Sequence, residues 1–295
     1  MKIKLQFSVA LMLATAAISH AALAAPESTG QERPSVASLL EEALRLTGGD
    51  PYLAITRNLQ CHMPGPDGVP IDSTTNSTPR PVQPTKVFDN LYYIGSSRTG
   101  SWLFTTPDGY IMIDAMYGDS PETVTVPGML ALGLDPAKLK YILITHAGPD
   151  YAGGAKYFPE KHGTRVLMSR QDWDAMLNPA PGSWVLNNRA PADRPASQRA
   201  WVGPPHFDLV GHDGDSLTLG GLTLKMYFTP RISTGGGLSF IAPVTDRGEP
   251  HIWATYGNTG LSDSPAGRQL YRESVQRFMG VMEEAGVDTI IAATP

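Results

Sequence analysis

The run from His146 to Tyr151 carries the side chains best suited to acid–base chemistry. It follows residues 141–145, an apolar stretch typical of a buried strand. Ligands often bind just beyond the carboxyl end of a strand. In ordinary surroundings an imidazole titrates near neutral pH, a carboxylate orients it, and a phenol donates a proton or hydrogen-bonds an oxyanion. His146, Asp150 and Tyr151 are therefore a candidate acid–base set. A structural role, in which His146 and Asp150 only hydrogen-bond the loop, is equally open.

Two further stretches are candidates for contact with a substrate. Ser233 and Thr234 precede the glycine triplet 235–237 after a predicted strand. Backbone N–H groups in such a stretch can bind an anion, although glycine triplets are also common in turns. Residues 179–205 contain six prolines and predict a long loop that carries Trp184. This tryptophan can line an aromatic pocket, although tryptophans are as often found in the core.

These residues need a scaffold, and apolar periodicity and turn signals predict one. The predicted strands are residues 90–95, 101–106, 110–113, 141–145 and 164–168, and then 216–219, 222–228, 238–241, 252–256 and 289–291. The predicted helices are residues 35–46, 121–132, 169–176 and 269–285. Ser169 and Asp172 fit a capping box at the start of the third helix. Two strand-rich blocks, each followed by helices, predict an α+β fold, a four-layer αββα sandwich.

The N-terminal segment predicts export. Lys2 and Lys4 precede an apolar run over residues 5–18, and Ala22-Leu23-Ala24 offers an A-x-A cleavage site, as in a secretory signal peptide. The run is shorter than the roughly 20 residues that a spanning helix needs, so we expect a periplasmic or secreted protein without membrane insertion. The expected parts are a signal peptide at 1–25, a leader with a helix and an irregular Pro/Ser/Thr-rich arm at 26–85, and the main domain at 86–295.

Composition and charge restrict the possible partners. The chain has 295 residues, 41% of them hydrophobic and 17% charged, which is enough to bury a core. Without residues 1–25 it holds 21 basic and 28 acidic residues, a formal net charge of −7. Such a charge disfavours nucleic acid and anionic membranes, so a small-molecule substrate or ligand is the expected partner. The single cysteine cannot form an internal disulfide, and the oligomeric state is left open.

Several stretches together resemble the metallo-β-lactamase superfamily, and most closely its exported members related to subclass B3. In that family a strand runs into H-x-H-x-D-H, then a Gly-Gly turn and a helix. His146, Asp150 and the glycines at 153 and 154 match this pattern. The other landmarks, in family order, are residues 86–95, Ile113-Asp114, residues 214–220, Phe228-Thr229-Pro230 and Gly237-Leu238-Ser239. The resemblance implies the αββα fold and a hydrolase-like activity.

The metal-binding residues that this resemblance implies are incomplete. Only His146 and Asp150 stand at ligand positions; Gly148 and Tyr151 replace two histidines. A catalytic zinc needs about three protein donors and an open water position, and a neutral tyrosine is a poor ligand. We therefore expect no zinc or weak zinc binding, with His146 and Asp150 as its ligands if it binds. Other histidines remain an alternative source of ligands.

The same comparison places Arg231 where the family has a glycine beside a ligand histidine. This placement implies an anion clamp, whereas pairing with an acid such as Asp114 is the structural alternative. Asp114, at the end of a predicted strand, is counted with Ser233, Thr234 and Trp184 among the substrate-binding candidates.

Three functions follow as hypotheses. The first is an exported hydrolase-like enzyme with a metal-poor site, acting on a small acidic, carbonyl or ester compound through His146, Asp150, Tyr151 and Arg231. The second is a ligand-binding pseudoenzyme of the same fold. The third is a zinc-dependent hydrolase with non-standard ligands, while an ordinary dizinc β-lactamase is not expected.

Overall fold

The computed structural model describes residues 35–49, 82–96, 99–179, 181, 206–231, 234–257 and 264–291. The predicted signal peptide, most of the irregular arm and nearly all of the loop at 179–205 lie outside these ranges. Helix α1, Val36–Leu46, belongs to the first of two compact units, Met1–Asn76. It begins as predicted, because the Ser35 side chain accepts a hydrogen bond from the Ser38 amide. All other described elements belong to the second unit, Ser77–Pro295.

Seven strands form the first sheet, and their order across the sheet follows the chain. They are β1 Thr85–Phe88, β2 Leu91–Gly95, β3 Gly100–Thr106, β4 Gly109–Ile113, β5 Leu139–Leu143, β6 Arg165–Met168 and β7 Leu209–Val210. Strands β1 to β4 pair antiparallel, and β4 to β7 pair parallel. The carboxyl ends of β4, β5 and β6 therefore meet at one edge of the sheet.

Five strands form the second sheet, in the order β12, β11, β10, β9, β8. They are β8 Ser216–Leu219, β9 Leu222–Phe228, β10 Leu238–Asp246, β11 Glu249–Thr255 and β12 Thr289–Ile290. The helices of this unit are α2 Val126–Ala131, α3 Pro149–Ala152, α4 Tyr157–His162, α5 Arg170–Leu177 and α6 Pro265–Ala285. Within the described ranges, no helix is long and apolar enough to cross a membrane.

Strand β4 explains how the layers pack. All five of its residues are buried, since side chains alternate between two covered faces. Met112 packs towards the helices, together with Met129 of α2 and Trp173 of α5. Ile111 and Ile113 pack towards the second sheet.

The outer face of the second sheet is covered in turn by helix α6. Phe278 of this helix packs against Ile241 and Ala254 of the sheet. The order helix, sheet, sheet, helix confirms the predicted four-layer αββα sandwich.

Several predicted boundaries differ from the structure, and two of them have an identifiable cause. Strand β5 ends at Leu143 and not at residue 145, because the amide of Thr145 leaves the ladder to bond Asp114. The helix predicted over 121–132 opens with a π-helical turn, Pro121–Thr125, before α2. Pro127 lacks the N–H that an α-helical ladder needs there, which is consistent with this wider turn.

Some elements were not predicted from periodicity. Helices α3 and α4 and strand β7 are short, and short segments give little periodic signal. Helix α4, which follows the Gly-Gly turn, was implied by the family resemblance alone.

Candidate functional site

The candidate site lies where three parallel strands of the first sheet end. Asp114 follows β4, Thr145 and His146 follow β5, and Ser169 follows β6. The start of β10 joins this edge, since the Leu238 amide donates to the Thr145 carbonyl at 2.8 Å. Loops from both sheets therefore converge at one place.

Asp114 hydrogen-bonds Thr145, the residue that precedes His146, and so stabilises the loop. It is 1% exposed and has a φ of +61°, a left-handed conformation that aspartate tolerates better than most residues. Its Oδ1 accepts hydrogen bonds from the amide of Thr145 at 2.8 Å and from the Thr145 hydroxyl at 3.0 Å. Burial raises the pKa of Asp114 well above its usual value, and the charges of Asp150 and Asp172 add to this effect. This position fits support of the loop better than contact with a substrate.

His146 lies in a closed environment. It is 2% exposed, and its Nδ1 lies 3.1 Å from the Thr145 hydroxyl. Burial lowers the pKa of His146 well below its usual value, and the positive charge of Arg231 lowers it further. A hydrogen bond with the Gly257 backbone has the opposite, smaller effect on this pKa. The expectation of titration near neutral pH assumed ordinary surroundings, and the buried His146 does not have them. Burial and the charge of Arg231 both favour the neutral form of the imidazole.

The Tyr151 ring packs against this imidazole, and Asp150 precedes that tyrosine on the same loop. The rings of Tyr151 and His146 have centroids 4.0 Å apart at 46°. Tyr151 is buried, and so is the Oδ1 atom of Asp150. The loop is therefore a packed unit rather than a set of side chains projecting into solvent.

Gly148 shows how tight this packing is. A Cβ there would lie 2.7 Å from Oδ1 of Asp150, 3.0 Å from Cδ2 of Tyr151 and 3.3 Å from Nε2 of His146. A side chain at this position would displace Asp150. The loop in this conformation therefore has no room for the second histidine of the family pattern.

Asp172 is a site residue that sequence reasoning treated only as a helix cap. Ser169 caps α5, since its hydroxyl accepts from the Asp172 amide at 3.1 Å, and the Asp172 carboxylate accepts from that hydroxyl at 2.6 Å. This fully buried carboxylate also accepts from the amide of Ala147, 3.0 Å away in the His146 loop. Burial raises the pKa of Asp172 despite hydrogen bonds from Ser169, Ala147 and Thr234. Its position after β6, beside the end of β5, was the available signal.

The second sheet contributes a turn that carries Arg231. The Arg231 amide donates to the Gly236 carbonyl at 2.9 Å, and the Gly235 amide donates back to the Arg231 carbonyl at 2.8 Å. A Cβ on Gly236 would overlap Oδ2 of Asp172, so this turn lies directly against that carboxylate.

Arg231 is half-buried in this turn. Burial lowers its guanidinium pKa, and interactions with Tyr151, Asp150 and Asp172 oppose that shift. Arg231 therefore interacts with Asp150 and Asp172, whereas the structural alternative raised from the sequence was an ion pair with Asp114.

The remaining sequence candidates divide into two groups. Thr234 lies at the site and bonds Asp172. Ser233 and Trp184 lie outside the described residues. Thr145, which connects Asp114 to His146, was missed because a threonine before a candidate histidine carries no chemical signal of its own.

The donors present do not fit a zinc ion. Among the described residues, no three His, Cys, Asp or Glu side chains converge as a metal site requires. Gly148 has no donor, and a Cβ there would lie 2.7 Å from the Asp150 carboxylate. Arg231, a cation, interacts with Asp150, the carboxylate that the family pattern assigns to metal.

Comparison with known proteins identifies the family. The metallo-β-lactamase superfamily profile matches residues 98–241. A metallo-β-lactamase of Cronobacter sakazakii that carries an HARLDQ motif is 30% identical, with 73% of this chain and 79% of that chain covered and a TM-score of 0.54. The native FEZ-1 metallo-β-lactamase of Legionella gormanii is 22% identical over 74% of this chain and 81% of that chain, with a TM-score of 0.58. BJP-1 of Bradyrhizobium japonicum, a subclass B3 enzyme, is 23% identical over 73% and 79%, with a TM-score of 0.56. This chain belongs to the metallo-β-lactamase superfamily.

The Cronobacter motif allows a direct comparison at the loop. Residues 146–151 of this chain are HAGPDY, whereas that protein has HARLDQ. The two strings share His, Ala and Asp, and both lack the histidines of the family pattern at the third and sixth positions. The two strings are therefore identical at three of their six positions.

Proposed function

We propose that the protein is an exported hydrolase-like enzyme that acts on a small acidic, carbonyl or ester compound without a resident zinc. Membership of the metallo-β-lactamase superfamily supports the hydrolytic class. The signal-like residues 1–25 support export to the periplasm or beyond the cell. The observation that carries the proposal is a neutral, buried His146 held between Thr145 and Tyr151, with Arg231 acting on it.

Each side chain has a chemical role in this proposal. A neutral imidazole accepts a proton from water as the water oxygen bonds to the substrate carbonyl carbon. The guanidinium of Arg231 stabilises the oxyanion that forms, or binds an acidic group of the substrate. When the carbon–oxygen bond to the leaving group breaks, Tyr151 or the protonated His146 supplies the proton that the leaving oxygen needs.

Asp114 and Thr145 act as positioning residues. The Thr145 hydroxyl lies 3.0 Å from Asp114 and 3.1 Å from His146 Nδ1, so the chain of bonds fixes the imidazole plane. Asp150, on the same loop as His146 and interacting with Arg231, completes the acid–base set.

Two competing functions have observations of their own. Burial of His146 and Tyr151, 2% and 7% exposed, favours a ligand-binding protein without turnover. The shared departure from the histidine pattern favours a metal-dependent lactamase with non-standard ligands, since the Cronobacter relative is named a metallo-β-lactamase.

One experiment separates the three. The purified protein is assayed on a panel of esters and cephalosporins after dialysis against chelator, and again with added zinc. We expect zinc-free turnover that falls at least 100-fold in His146→Ala, a loss on the scale of a missing general base. The matched control is His212→Ala, because the His212 side chain is 71% exposed; it should change the rate by less than about twofold.

The other outcomes would contradict the proposal. Turnover only with zinc would establish the metal-dependent alternative. Saturable binding of a panel compound without turnover would establish the ligand-binding alternative.

A further inference from the structure

Several buried carboxylates lie close enough to affect one another at this site. Asp114 is 1% exposed and Asp172 is fully buried. The negative charges of Asp150 and Asp172 both act on Asp114. Clustered carboxylates in a low-dielectric environment repel one another, so the folded state needs a positive charge or bound protons there.

A cation of the chain itself is held against this cluster. Arg231 interacts electrostatically with Asp150 and Asp172, and its positive charge also lowers the pKa of His146. A guanidinium keeps its charge at every physiological pH and offers five donors in a planar fork, which suits carboxylate partners.

The backbone fixes the position of this cation. Two hydrogen bonds close the turn between Arg231 and residues 235 and 236. Thr234 bonds the Asp172 side chain, and Gly236 lies so close to that carboxylate that no other residue fits without a shift. The turn that carries Arg231 therefore packs against Asp172, one of the carboxylates whose charge Arg231 compensates.

The loop that carries His146 is packed by its own side chains. The place that a side chain at position 148 would take is already bounded by Asp150, Tyr151 and His146. The donor set lacks the three converging ligands that a metal requires among the described residues.

We infer that the Arg231 guanidinium is the resident cation of this site, taking the charge-compensating role that a metal ion has in the family pattern. This goes beyond the proposed function, since it holds whether or not the site turns over a substrate. It also predicts that the folded protein is indifferent to metal.

The first test is a double-mutant cycle read by thermal unfolding. Arg231→Gln leaves buried carboxylates uncompensated, so we expect a fall in Tm on the order of 10 °C. Adding Asp150→Asn to that variant removes one of the repelling charges and should restore at least half of the loss. A double variant whose losses simply add would overturn the inference.

The matched control cycle uses a surface pair. Arg247, 91% exposed, lies 3.8 Å from Asp246. Arg247→Gln, Asp246→Asn and their combination should each shift Tm by less than about 3 °C, as exposed pairs do. Coupling as large in this pair as in the Arg231 cycle would contradict a specific role for Arg231.

The second test covers the case in which Arg231→Gln does not fold. Arg231→Lys keeps the charge and should fold with a Tm closer to the unsubstituted protein. That unsubstituted protein should melt at the same temperature in chelator and in equimolar zinc, and should not compete with a chromophoric zinc chelator. Stoichiometric zinc binding with a rise in Tm would overturn the inference, whatever the activity measurements give.

Discussion

The carboxylate of Asp172 accepts a hydrogen bond from the backbone amide of Ala147, 3.0 Å away. This bond connects helix α5 to the loop that carries His146, although the two residues are 25 positions apart. The same carboxylate bonds Ser169 at 2.6 Å and contacts the Arg231 turn through Thr234. One acid therefore ties together the helix, the loop and the turn.

Removing that carboxylate should loosen the site. Asp172→Ala leaves the buried Ala147 amide and the Ser169 hydroxyl without their acceptor, so we expect a loss of about 2–4 kcal/mol in unfolding free energy. Denaturant titration measures it. Asp174→Ala is the matched control, since Asp174 is exposed on the same helix and should cost less than about 0.5 kcal/mol. Similar losses in both variants would contradict a tie between helix and loop.

Neutralising Asp114 should stabilise the protein at neutral pH. Because burial raises the pKa of Asp114, its contribution to stability is full below its unfolded pKa and declines as pH rises towards the folded value. Asn tolerates the φ of +61° and can keep bonds to Thr145. We expect Asp114→Asn to be more stable than the original at pH 7, by on the order of 1 kcal/mol, with the difference shrinking towards pH 4.

Urea midpoints measured from pH 4 to pH 8 test this prediction. Asp114→Ala serves as the control, because it removes the charge and the hydrogen bonds together and should be destabilising. An Asn variant less stable than the original at pH 7 would mean that an ionised Asp114 is favourable.

An ion pair on the other side of the second sheet should show the opposite pH dependence. Arg277 of helix α6 bonds Asp213 at 2.6 Å. Partial burial acts to raise the pKa of Asp213, but hydrogen bonds from Arg277 and the Phe228 amide lower it overall. Its stabilising contribution is therefore present above the unfolded pKa near 4 and is lost as pH falls through the lower, folded value.

Arg277→Gln should lower stability at pH 7 by about 1 kcal/mol or less, since both side chains are about half exposed. The deficit should shrink as pH falls below about 4, because protonated Asp213 no longer forms the ion pair. Arg272→Gln, exposed on the same helix, is the control. A deficit that stays constant down to pH 2 would assign the effect to packing.

Restoring a family histidine at position 148 should not create a zinc site. Gly148→His must displace Asp150 and Tyr151, so we expect a loss of about 1–3 kcal/mol and no rise in Tm with zinc. Gly280→Ala is the control glycine, because its Cβ would meet nothing within 4 Å and alanine favours a helix. Equimolar zinc binding by Gly148→His, followed in a chelator competition, would show that the loop opens easily.

The fold could be predicted far better than the site. Strands β3 and β4 were placed to within a residue, because the turn 107–109 and the flanking apolar runs are local signals. The two strand-rich blocks, each followed by helices, predicted the layer arrangement, and the family landmarks implied the same one. Strand β5 was placed too late by two residues, since its end depends on a bond from Thr145 to an acid 31 positions away.

The sequence by itself determined which chemical groups are available: one histidine, one aspartate and a tyrosine at the end of a strand, with two family histidines missing. Tertiary structure decided their state. Burial and the charge of Arg231 lower the pKa of His146, and Asp172, Thr145 and Gly148 acquire their roles only when three strand ends and a turn of the second sheet meet. The physical reason is that desolvation and charge–charge interactions depend on distances through space, and these are set by packing between segments far apart in the chain.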